Sequence, residues 1–298
     1  DTYHAGFLLG PRVNAGGRVG EADLGARLLA TDDAAEAAAL ACRLDAYNEE
    51  RRAIEAAVLA EAMAQIEAGP APVGLVFAAG EGWHPGVIGI VASRLKDRFN
   101  LPAVVVALDP GTATAKGSGR SVPGVDLGAA VIAARQAGLL VNGGGHPMAA
   151  GLTTDLARVS DLRAFLSERL GAALAASGYR PALGFDGVLH PGGATADLVR
   201  AIERCAPFGA GNPQPRFAVA AARIVRADVV GENHVRCILA GADDARLKAI
   251  AFRAMDTALG PALLATGGRP LHLAGKLRLD EWAGGDAVQF VVEDAAPA

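Results

Sequence analysis

The sequence predicts an α/β domain with a mixed sheet, preceded by a long connecting helix and followed by a small all-β barrel. Three observations lead to this fold class. No Gly or Pro occurs from residue 32 to about residue 68, strand-like and helix-like segments alternate from residue 73 to about 178, and alternating runs dominate the remainder. A chain of 298 residues has room for two or three domains, each with its own core.

The long helix is the first element. Its apolar stripe has spacings of three, four or seven, at Leu40, Leu44, Tyr47, Ile54 and Val58. Thr31 or Asp32 is the expected N-cap, and Gly69-Pro70 is the expected end. At about 1.5 Å per residue the helix would span roughly 50 Å, so we expect it to connect two domains.

The middle region alternates strands with helices. The expected buried strands are VGLVFAA (73–79) and PAVVVAL (102–108). The expected helices cover residues 86–99, 125–138 and 161–175. This alternation is typical of an α/β domain with a largely parallel or mixed sheet.

After Gly178 the chain changes to strands. Five runs alternate apolar and polar residues, namely 223–230, 234–240, 247–252, 271–279 and 287–294. Such a set suits a small barrel of the OB-fold type. In the fourth run Lys276 and Arg278 lie opposite the apolar face. That basic face is either an ordinary solvated strand face or a surface that binds a nucleic-acid strand.

The overall charge does not favour a nucleic-acid partner. The formal net charge is −4, whereas a bulk electrostatic footprint for nucleic acid would be basic. Binding would therefore need local clusters of Arg and Lys. No apolar run reaches the roughly 18–20 residues of a membrane span, and no signal peptide is visible. The opening DTYHAGFLLG reads like the middle of a domain, so we expect a fragment.

The three cysteines, Cys42, Cys205 and Cys237, are far apart and form no CxxC pair. They are expected to be ordinary small core residues in a reducing, cytoplasmic environment. The six histidines are scattered, and the sequence contains no HxxxH, DxD or Asp-His-His pattern. A two-metal centre needs several carboxylates and histidines around cations about 4 Å apart, so we expect no metal site.

NGGGHPMAAG (142–151) is the sharpest motif. Gly143, Gly144 and Gly145 lack Cβ atoms, so their N–H groups could converge into an anion-binding concavity. His146 could give a hydrogen bond or a proton to a phosphate oxygen. The alternative is that the glycines only form a tight turn.

Two further glycine-rich segments carry candidate phosphate ligands. In AKGSGRSVPGVDLG (115–128), Ser118 and Arg120 lie on an expected loop, where an arginine can direct two N–H donors at a phosphate. The alternative is an arginine that braces the loop. In GPRVNAGGR (10–18), also expected to be a loop, Arg12, Asn14 and Arg18 offer donors. No dinucleotide fingerprint or P-loop pattern occurs.

Two other segments have plainer interpretations. His84 precedes a helix whose N-terminal amides could bind an anion, but it could equally be a structural histidine bonded to its own loop. APFGAGNPQPRF (206–217) is rich in Pro and Gly and is expected to be a structural domain junction.

Six motifs, in this order along the chain, resemble those of RecJ-type single-strand DNA exonucleases of the DHH/DHHA1 phosphoesterase superfamily. They are GFLLGPRVNAGGR, WHPGVIGIVASRL, KGSGRSVPGVDL, GGGHPMAAG, PFGAGNPQPRF and VVGENHVR. The resemblance covers essentially all 298 residues. It implies the tail of a DHH domain (1–20), connecting helices (21–70), a DHHA1 domain (71–178) and an OB-fold nucleic-acid-binding domain (179–298).

The resemblance also implies a function. A metal-dependent 5′→3′ exonuclease specific for single-stranded DNA would act in repair and recombination, with Mn²⁺ or Mg²⁺ held by a DHH domain that this chain lacks. Single-stranded DNA and single-strand-binding protein are the implied partners. This chain would be the substrate-binding portion and would be inactive alone.

Residue roles carry over from the matching motifs. His146, after the three glycines, resembles the group facing the scissile phosphate, and Ser118 with Arg120 resembles a phosphate-binding loop. His146 and Arg120 are the implied catalytic residues. Arg12 and Asn14 fall in a segment near the lobe junction.

The resemblance has one departure and one further implication. Pro147 replaces the commoner alanine and restricts His146 toward extended geometry. In the barrel, the basic face and base stacking on Trp282 would hold the downstream strand.

Three other functions remain open. A non-catalytic single-strand-binding or scaffold protein could keep only the binding half. A nano-RNA or nucleotide phosphatase of the same superfamily would share GGGH but should lack the OB-fold. A metabolite-binding α/β protein is the third.

Overall fold

The computed structural model describes residues 2–241, 245–280 and 285–298. These residues form two compact units, Tyr3–Pro181 and Ala182–Ala298. In the described part of the chain, no helix is long and apolar enough to cross a membrane.

The first unit begins with short helices and not with the expected loop. A π-helical segment at His4–Leu9 leads into α1 (Gly10–Val13), α2 (Gly16–Val19), α3 (Leu24–Ala30) and α4 (Ala34–Glu67). The loop predicted for residues 10–18 is therefore wrong. Gly16 serves helix packing, because a Cβ there would lie 2.3 Å from the carbonyl oxygen of Glu21.

The long helix α4 is confirmed, with 34 residues and a length of about 51 Å. Its N-cap is Asp33 and not Thr31 or Asp32, because the Asp33 carboxylate accepts from the amides of Ala35 and Glu36. The helix lies within the first unit and does not run between the two units.

Glu55 ties α4 to a neighbouring helix, α5 (Pro85–Phe99). This buried carboxylate accepts a hydrogen bond from Nη1 of Arg51 at 2.6 Å and pairs with Nε of Arg94 on α5. Apolar contacts add to the same interface, since Val58 of α4 and Val91 of α5 belong to one buried cluster.

A five-stranded mixed sheet forms the centre of the first unit. Its strands are β1 (Val76–Glu81), β2 (Ala103–Asp109), β3 (Thr114–Arg120), β4 (Asn142–His146) and β5 (Ala149–Asp155). The order is β1-β2-β3-β5-β4, with β1 and β2 parallel and the other pairs antiparallel.

Helices cover the two faces of this sheet unequally. One face packs against α6 (Leu127–Gln136) and α7 (Val159–Ser177). The other face packs against α5 along β1 and β2. The expected mixed α/β fold is thus confirmed, although β3, β4 and β5 lie in segments predicted as loops or turns.

The second unit is a closed five-stranded barrel. It contains β6 (Gly187–Val188), α8 (Ala196–Glu203), β7 (Phe217–Val230), β8 (His234–Ala240), β9 (Arg246–Ala251), α9 (Leu259–Leu264), β10 (Leu271–Leu279) and β11 (Val288–Pro297). The order β7-β8-β9-β11-β10 closes through a β10–β7 pairing, and β9 and β11 are parallel. The expected OB-type barrel is confirmed.

Two smaller expectations are wrong. The segment 206–217 lies inside the second unit, between α8 and β7, so it is not a domain junction. Its Asn212 amide donates to the carbonyl oxygens of Cys205 and Pro207, which fixes a local turn. Among the cysteines only Cys237 is buried, whereas Cys42 and Cys205 are exposed.

Candidate functional site

β3 carries the predicted residues Ser118 and Arg120 on one face of the sheet. Because side chains alternate along a strand, Lys116 shares that face, and the intervening glycines point to the core. A Cβ on Gly117 would lie 2.6 Å from the Leu152 side chain, and one on Gly119 would lie 2.7 Å from that of Leu127. The glycines thus allow close core packing, and the polar residues project the other way.

Strand register extends this polar face across β5 and β4. Three rows run from β3 through β5 to β4: Arg120–Ala149–His146, Ser118–Gly151–Gly144 and Lys116–Thr153–Asn142. Directly paired residues of antiparallel strands project to the same side of a sheet. We call these nine residues the open face, because all nine are partly or fully exposed.

The predicted glycine concavity is wrong. Residues 142–146 form the edge strand β4, which pairs with β5 in an antiparallel hairpin whose turn contains Pro147 and Met148. The backbone N–H groups of an antiparallel strand point alternately to its two sides, so those of the three glycines do not converge on one point. His146 lies exposed at the end of β4. Its row partner Arg120 is two strands away, at about 10 Å.

Arg120 lies at the edge of the open face, against α5. A Cβ on Gly89 of α5 would lie 3.0 Å from Oγ of Ser118 and 3.2 Å from Nη2 of Arg120, so the helix leaves room for both side chains. Nη1 of Arg120 donates to the carbonyl oxygen of Gly119 at 2.8 Å and to Oγ of Ser118 at 3.3 Å. Neither acceptor carries a charge.

A second arginine reinforces the positive potential at this edge. Partial burial lowers the pKa of Arg120, and the nearby positive charge of Arg18 lowers it further. Arg18 of α2 donates through Nη1 to the carbonyl oxygen of Gly86 at 3.2 Å. In the described residues, no carboxylate forms an ion pair with either arginine. An anion would relieve the repulsion between the two cations.

Other predicted residues have structural contacts. His84 is the N-cap of α5, and its Nδ1 accepts from the amide of Gly86 at 3.0 Å. Arg12 donates to Asp45 at 2.6 Å and to the carbonyl oxygen of Leu8 at 2.9 Å. Asn14 is exposed at the end of α1. None of these three belongs to the open face.

The barrel presents a separate groove of about 580 Å³ across its outer surface. One row of paired residues crosses all five strands: Arg278, Gln289, Lys248, Ile238 and Arg226. The next row adds Ile250, Arg236 and Asp228. We call this surface the barrel groove.

Charge and an aromatic ring characterise the barrel groove. Its cations are Arg226, Arg236, Lys248 and Arg278, against the two carboxylates Asp228 and Asp280. The exposed ring of Phe252 lies 5.0 Å below the guanidinium carbon of Arg278. Sequence inspection missed Arg226, Arg236 and Lys248, although each occupies an outward position in an alternating run.

The two basic residues predicted on β10 differ in their surroundings. Both project outward as expected, but only Arg278 lines the barrel groove. Lys276 pairs with Glu293 at 2.9 Å, and Glu293 also binds Arg216 at 2.5 Å. Burial raises the pKa of Glu293, but the hydrogen bonds from Lys276 and Arg216 outweigh it and leave that pKa below its usual range. Trp282 lies outside the described residues.

A divalent cation has no matching ligand set in the described part of the chain. No group of three or more His, Cys, Asp or Glu side chains there could hold a metal ion.

The sheet domain with its open face, followed by an OB barrel with a basic groove, corresponds to two known domain families. Residues 72–172 match the DHHA1 domain, and residues 185–294 match the RecJ OB domain. The class is therefore a DHHA1 domain followed by a RecJ-type OB domain.

Individual relatives are similar to this chain over nearly its whole length. The single-stranded-DNA-specific exonuclease RecJ of Bacillus subtilis is 33% identical over 98% of this chain and 36% of the relative. That of Escherichia coli is 34% identical over 98% of this chain and 51% of the relative. A crystal structure of Thermus thermophilus RecJ with Mg²⁺ has a TM-score of 0.80 at 30% identity, covering all of this chain and 44% of that one.

This chain belongs to the RecJ family. It spans about half, or less, of the length of these relatives.

Proposed function

We propose that this chain is the substrate-binding part of a single-stranded-DNA-specific 5′→3′ exonuclease that acts in DNA repair and recombination. One observation carries the proposal. Arg120 and Arg18 lie close together at the edge of the open face, and in the described residues neither has a carboxylate partner. The row of paired residues that begins at Arg120 ends at His146. Like charges held in this way favour a bound anion, and the repeating anion of DNA is phosphate.

The open face supplies hydrogen-bond donors to a phosphodiester. Arg120 can direct two N–H donors at the phosphoryl oxygens, and the Ser118 hydroxyl can give a third hydrogen bond. His146 approaches from the β4 side and donates to the oxygen that gains charge during hydrolysis. Donors fixed before the reaction stabilise developing charge without reorganisation.

The divalent metal ion needed for hydrolysis would be held by a different domain. RecJ of Thermus thermophilus has been crystallised with Mg²⁺ and with Mn²⁺. We propose that a DHH domain outside the described residues holds one of these ions. In this scheme residues 1–20 are the tail of that domain, 21–70 connect it, 71–178 are the DHHA1 domain and 179–298 are the OB domain.

The downstream strand would lie in the barrel groove. Its cations, at Arg226, Arg236, Lys248 and Arg278, would contact phosphates, and Phe252 would stack on a base. Trp282 stays a second candidate for stacking. Recognition through phosphates and a ring face fits binding without sequence preference.

Partners and location follow from the same proposal. We propose single-stranded DNA as the ligand, single-strand-binding protein as a partner, and the cytoplasm as the location. A nano-RNA phosphatase is less well supported, because the match to a RecJ OB domain covers residues 185–294. The experiment below distinguishes the exonuclease from a non-catalytic single-strand-binding protein.

The test uses a chimera in which this chain replaces the matched segment of the Escherichia coli relative. Release of nucleotides from 5′-phosphorylated single-stranded DNA is measured for the parent chimera and for His146→Ala and Arg120→Ala. Each variant should lose on the order of 10²–10³ in rate, as for removal of one preorganised donor. Arg98→Ala, an exposed arginine of α5, is the matched control and should keep the parental rate.

Thermal unfolding separates function from folding. The midpoint for His146→Ala should barely move, because surface substitutions usually change stability by within about 0.5 kcal/mol. A large fall in the midpoint with a proportionate loss of rate would make His146 a structural residue. A chimera that binds DNA without hydrolysing it would favour the non-catalytic role.

A further inference from the structure

The hairpin between β7 and β8 carries the last of the six motifs, VVGENHVR (229–236). Gly231 in its turn has a φ of 64°, which glycine adopts without strain, so the turn is tight. The tip of the hairpin lies beside the segment that follows β9. A depression of about 440 Å³ between the two is lined by Glu232, Asn233, His234, Arg253 and Asp256.

Hydrogen bonds fasten the segment after β9 to the hairpin tip. The amide of Arg253 donates to Nδ1 of His234 at 2.9 Å. The amide of Met255 donates to the carbonyl oxygen of Asn233 at 3.1 Å, and the side-chain amide of Asn233 donates to Oδ2 of Asp256 at 2.7 Å. The segment is thus held both at its first residues and one turn later.

The bond to His234 falls where the backbone needs support. Arg253 has a φ of 53°, in the left-handed region that residues other than glycine rarely adopt. Such a conformation persists only when surrounding contacts hold it. The acceptor for the Arg253 amide is a side chain and not a neighbouring strand. His234 therefore fixes the direction in which the chain continues after Phe252.

The ring of Phe252 is held from the same side chain. Phe252 directly precedes Arg253, and its ring meets the ring of His234 edge to face, with centroids 5.4 Å apart and planes at 75°. Aromatic rings prefer this arrangement. The guanidinium carbon of Arg278 lies 5.0 Å from the centroid of the Phe252 ring. Two neighbours thus define where the ring lies.

Phe252 is the stacking surface that the barrel groove offers. Among the described residues that line the groove, it is the only aromatic side chain, and it is 46% exposed. Replacing a ring on which a base stacks by alanine weakens binding roughly 5- to 150-fold. A ring without a fixed orientation would lose part of this benefit, because its freedom must be given up on binding.

We infer that His234 is a positioning residue for base stacking in the barrel groove. It holds Phe252 in the orientation that receives a base, through Nδ1 and through its ring edge. This inference rests on the proposed function, since it requires that the groove binds single-stranded DNA. The effect is on bases and not on phosphates, because Arg278 is also held by Gln289 at 3.0 Å and keeps its place without His234.

The test compares two labelled ligands of equal length with the 298-residue chain: oligothymidylate, and an abasic strand with the same sugar–phosphate backbone. Binding is measured by fluorescence anisotropy at one fixed salt concentration. His234→Ala removes both contacts. His234→Asn keeps an acceptor, because Oδ1 of Asn lies as many bonds from the backbone as Nδ1 of His. His190→Ala is the control, since His190 is an exposed histidine of the same unit outside the groove.

His234→Ala should weaken oligothymidylate binding about three- to fivefold, the scale of one neutral hydrogen bond, and should leave abasic-strand binding within about twofold. His234→Asn should recover most of that loss. Phe252→Ala should weaken oligothymidylate binding at least about fivefold. Adding His234→Ala to Phe252→Ala should cost nothing further, because His234 acts through that ring. His190→Ala should change neither ligand.

Four results would overturn the inference. Unchanged oligothymidylate binding in His234→Ala would remove its basis, and equal weakening of both ligands would assign His234 to the fold or to the phosphates. Additive losses with Phe252→Ala would make His234 a direct DNA contact. No recovery in His234→Asn would exclude the Nδ1 hydrogen bond as the cause.

Phe252→Ala tests the proposed stacking independently. If it leaves oligothymidylate binding unchanged, stacking in the barrel groove fails and the role of His234 fails with it. If Phe252→Ala weakens binding whereas His234→Ala does not, the groove assignment stands and only the role of His234 fails.

Discussion

Arg278 and Lys276 offer a matched pair of substitutions on one strand. Both are basic and both project outward from β10, two residues apart. Arg278 lines the barrel groove above Phe252, whereas Lys276 lies outside the groove and is already paired with Glu293. We predict that Arg278→Ala weakens binding of single-stranded DNA and that Lys276→Ala does not.

The magnitude follows from counterion release. For a single strand, the logarithm of the binding constant falls with the logarithm of salt concentration with a slope of about −0.7 per phosphate contacted. If the four groove cations each contact one phosphate, the slope is about −2.8, and raising salt from about 50 to 200 mM weakens binding roughly 50-fold. With Arg278→Ala the slope becomes about −2.1 and the loss falls to roughly 20-fold.

Fluorescence anisotropy with labelled oligothymidylate, repeated at several salt concentrations, measures the slope directly. Mixed-sequence oligonucleotides should give similar slopes. Equal slopes for wild type and Arg278→Ala would refute the assignment of the groove. A reduced slope for Lys276→Ala, with Arg278→Ala unchanged, would shift the binding surface to the other part of β10.

Two predictions concern the chain itself. The 298-residue chain alone should release no nucleotides from 5′-phosphorylated single-stranded DNA with Mn²⁺, because its sequence has no metal-ligand motif; shortening of the DNA above a contaminant control would contradict this. Glu293 should also make stability depend on pH. Its folded-state pKa is lowered, so ionised Glu293 stabilises the fold above the unfolded value of about 4.3, and this contribution is lost as pH falls through the folded value. Urea unfolding should therefore show a stability difference between wild type and Glu293→Gln that is present at neutral pH and shrinks in acid. A difference independent of pH would exclude the ion pairs as its cause.

Elements with a clear apolar period could be predicted from the sequence. The helix α4 has a stripe every three or four residues, and β1 and β2 are short apolar runs between breakers. β3 and β4 were not predicted as strands because their inward positions are largely glycine, as at Gly117 and Gly143, where the core approaches the backbone. A strand whose core-facing positions are glycines shows no alternation of apolar and polar residues, so its sequence gives no hydrophobic signal.

The candidate site was only partly predictable for the same reason. Arg120, Ser118 and His146 were found from their motifs, yet their common row depends on strand pairing that no local pattern shows. For His84 the sequence left open an anion ligand or a structural histidine, and the residue caps α5 as the structural alternative predicts.

The buried carboxylate of Glu55 has a consequence for the geometry of the open face. It joins α4 to α5, and α5 borders Arg120 through Gly89 and Arg18 through Gly86. Sliding of α5 along α4 would separate Arg94 from the buried carboxylate of Glu55, and an unpaired charge is costly in a protein interior. The positions of α5 that Arg120 and Arg18 contact are therefore fixed in the empty protein. For the DNA substrate proposed above, little conformational entropy would then be lost on association, which favours affinity even for a short oligonucleotide.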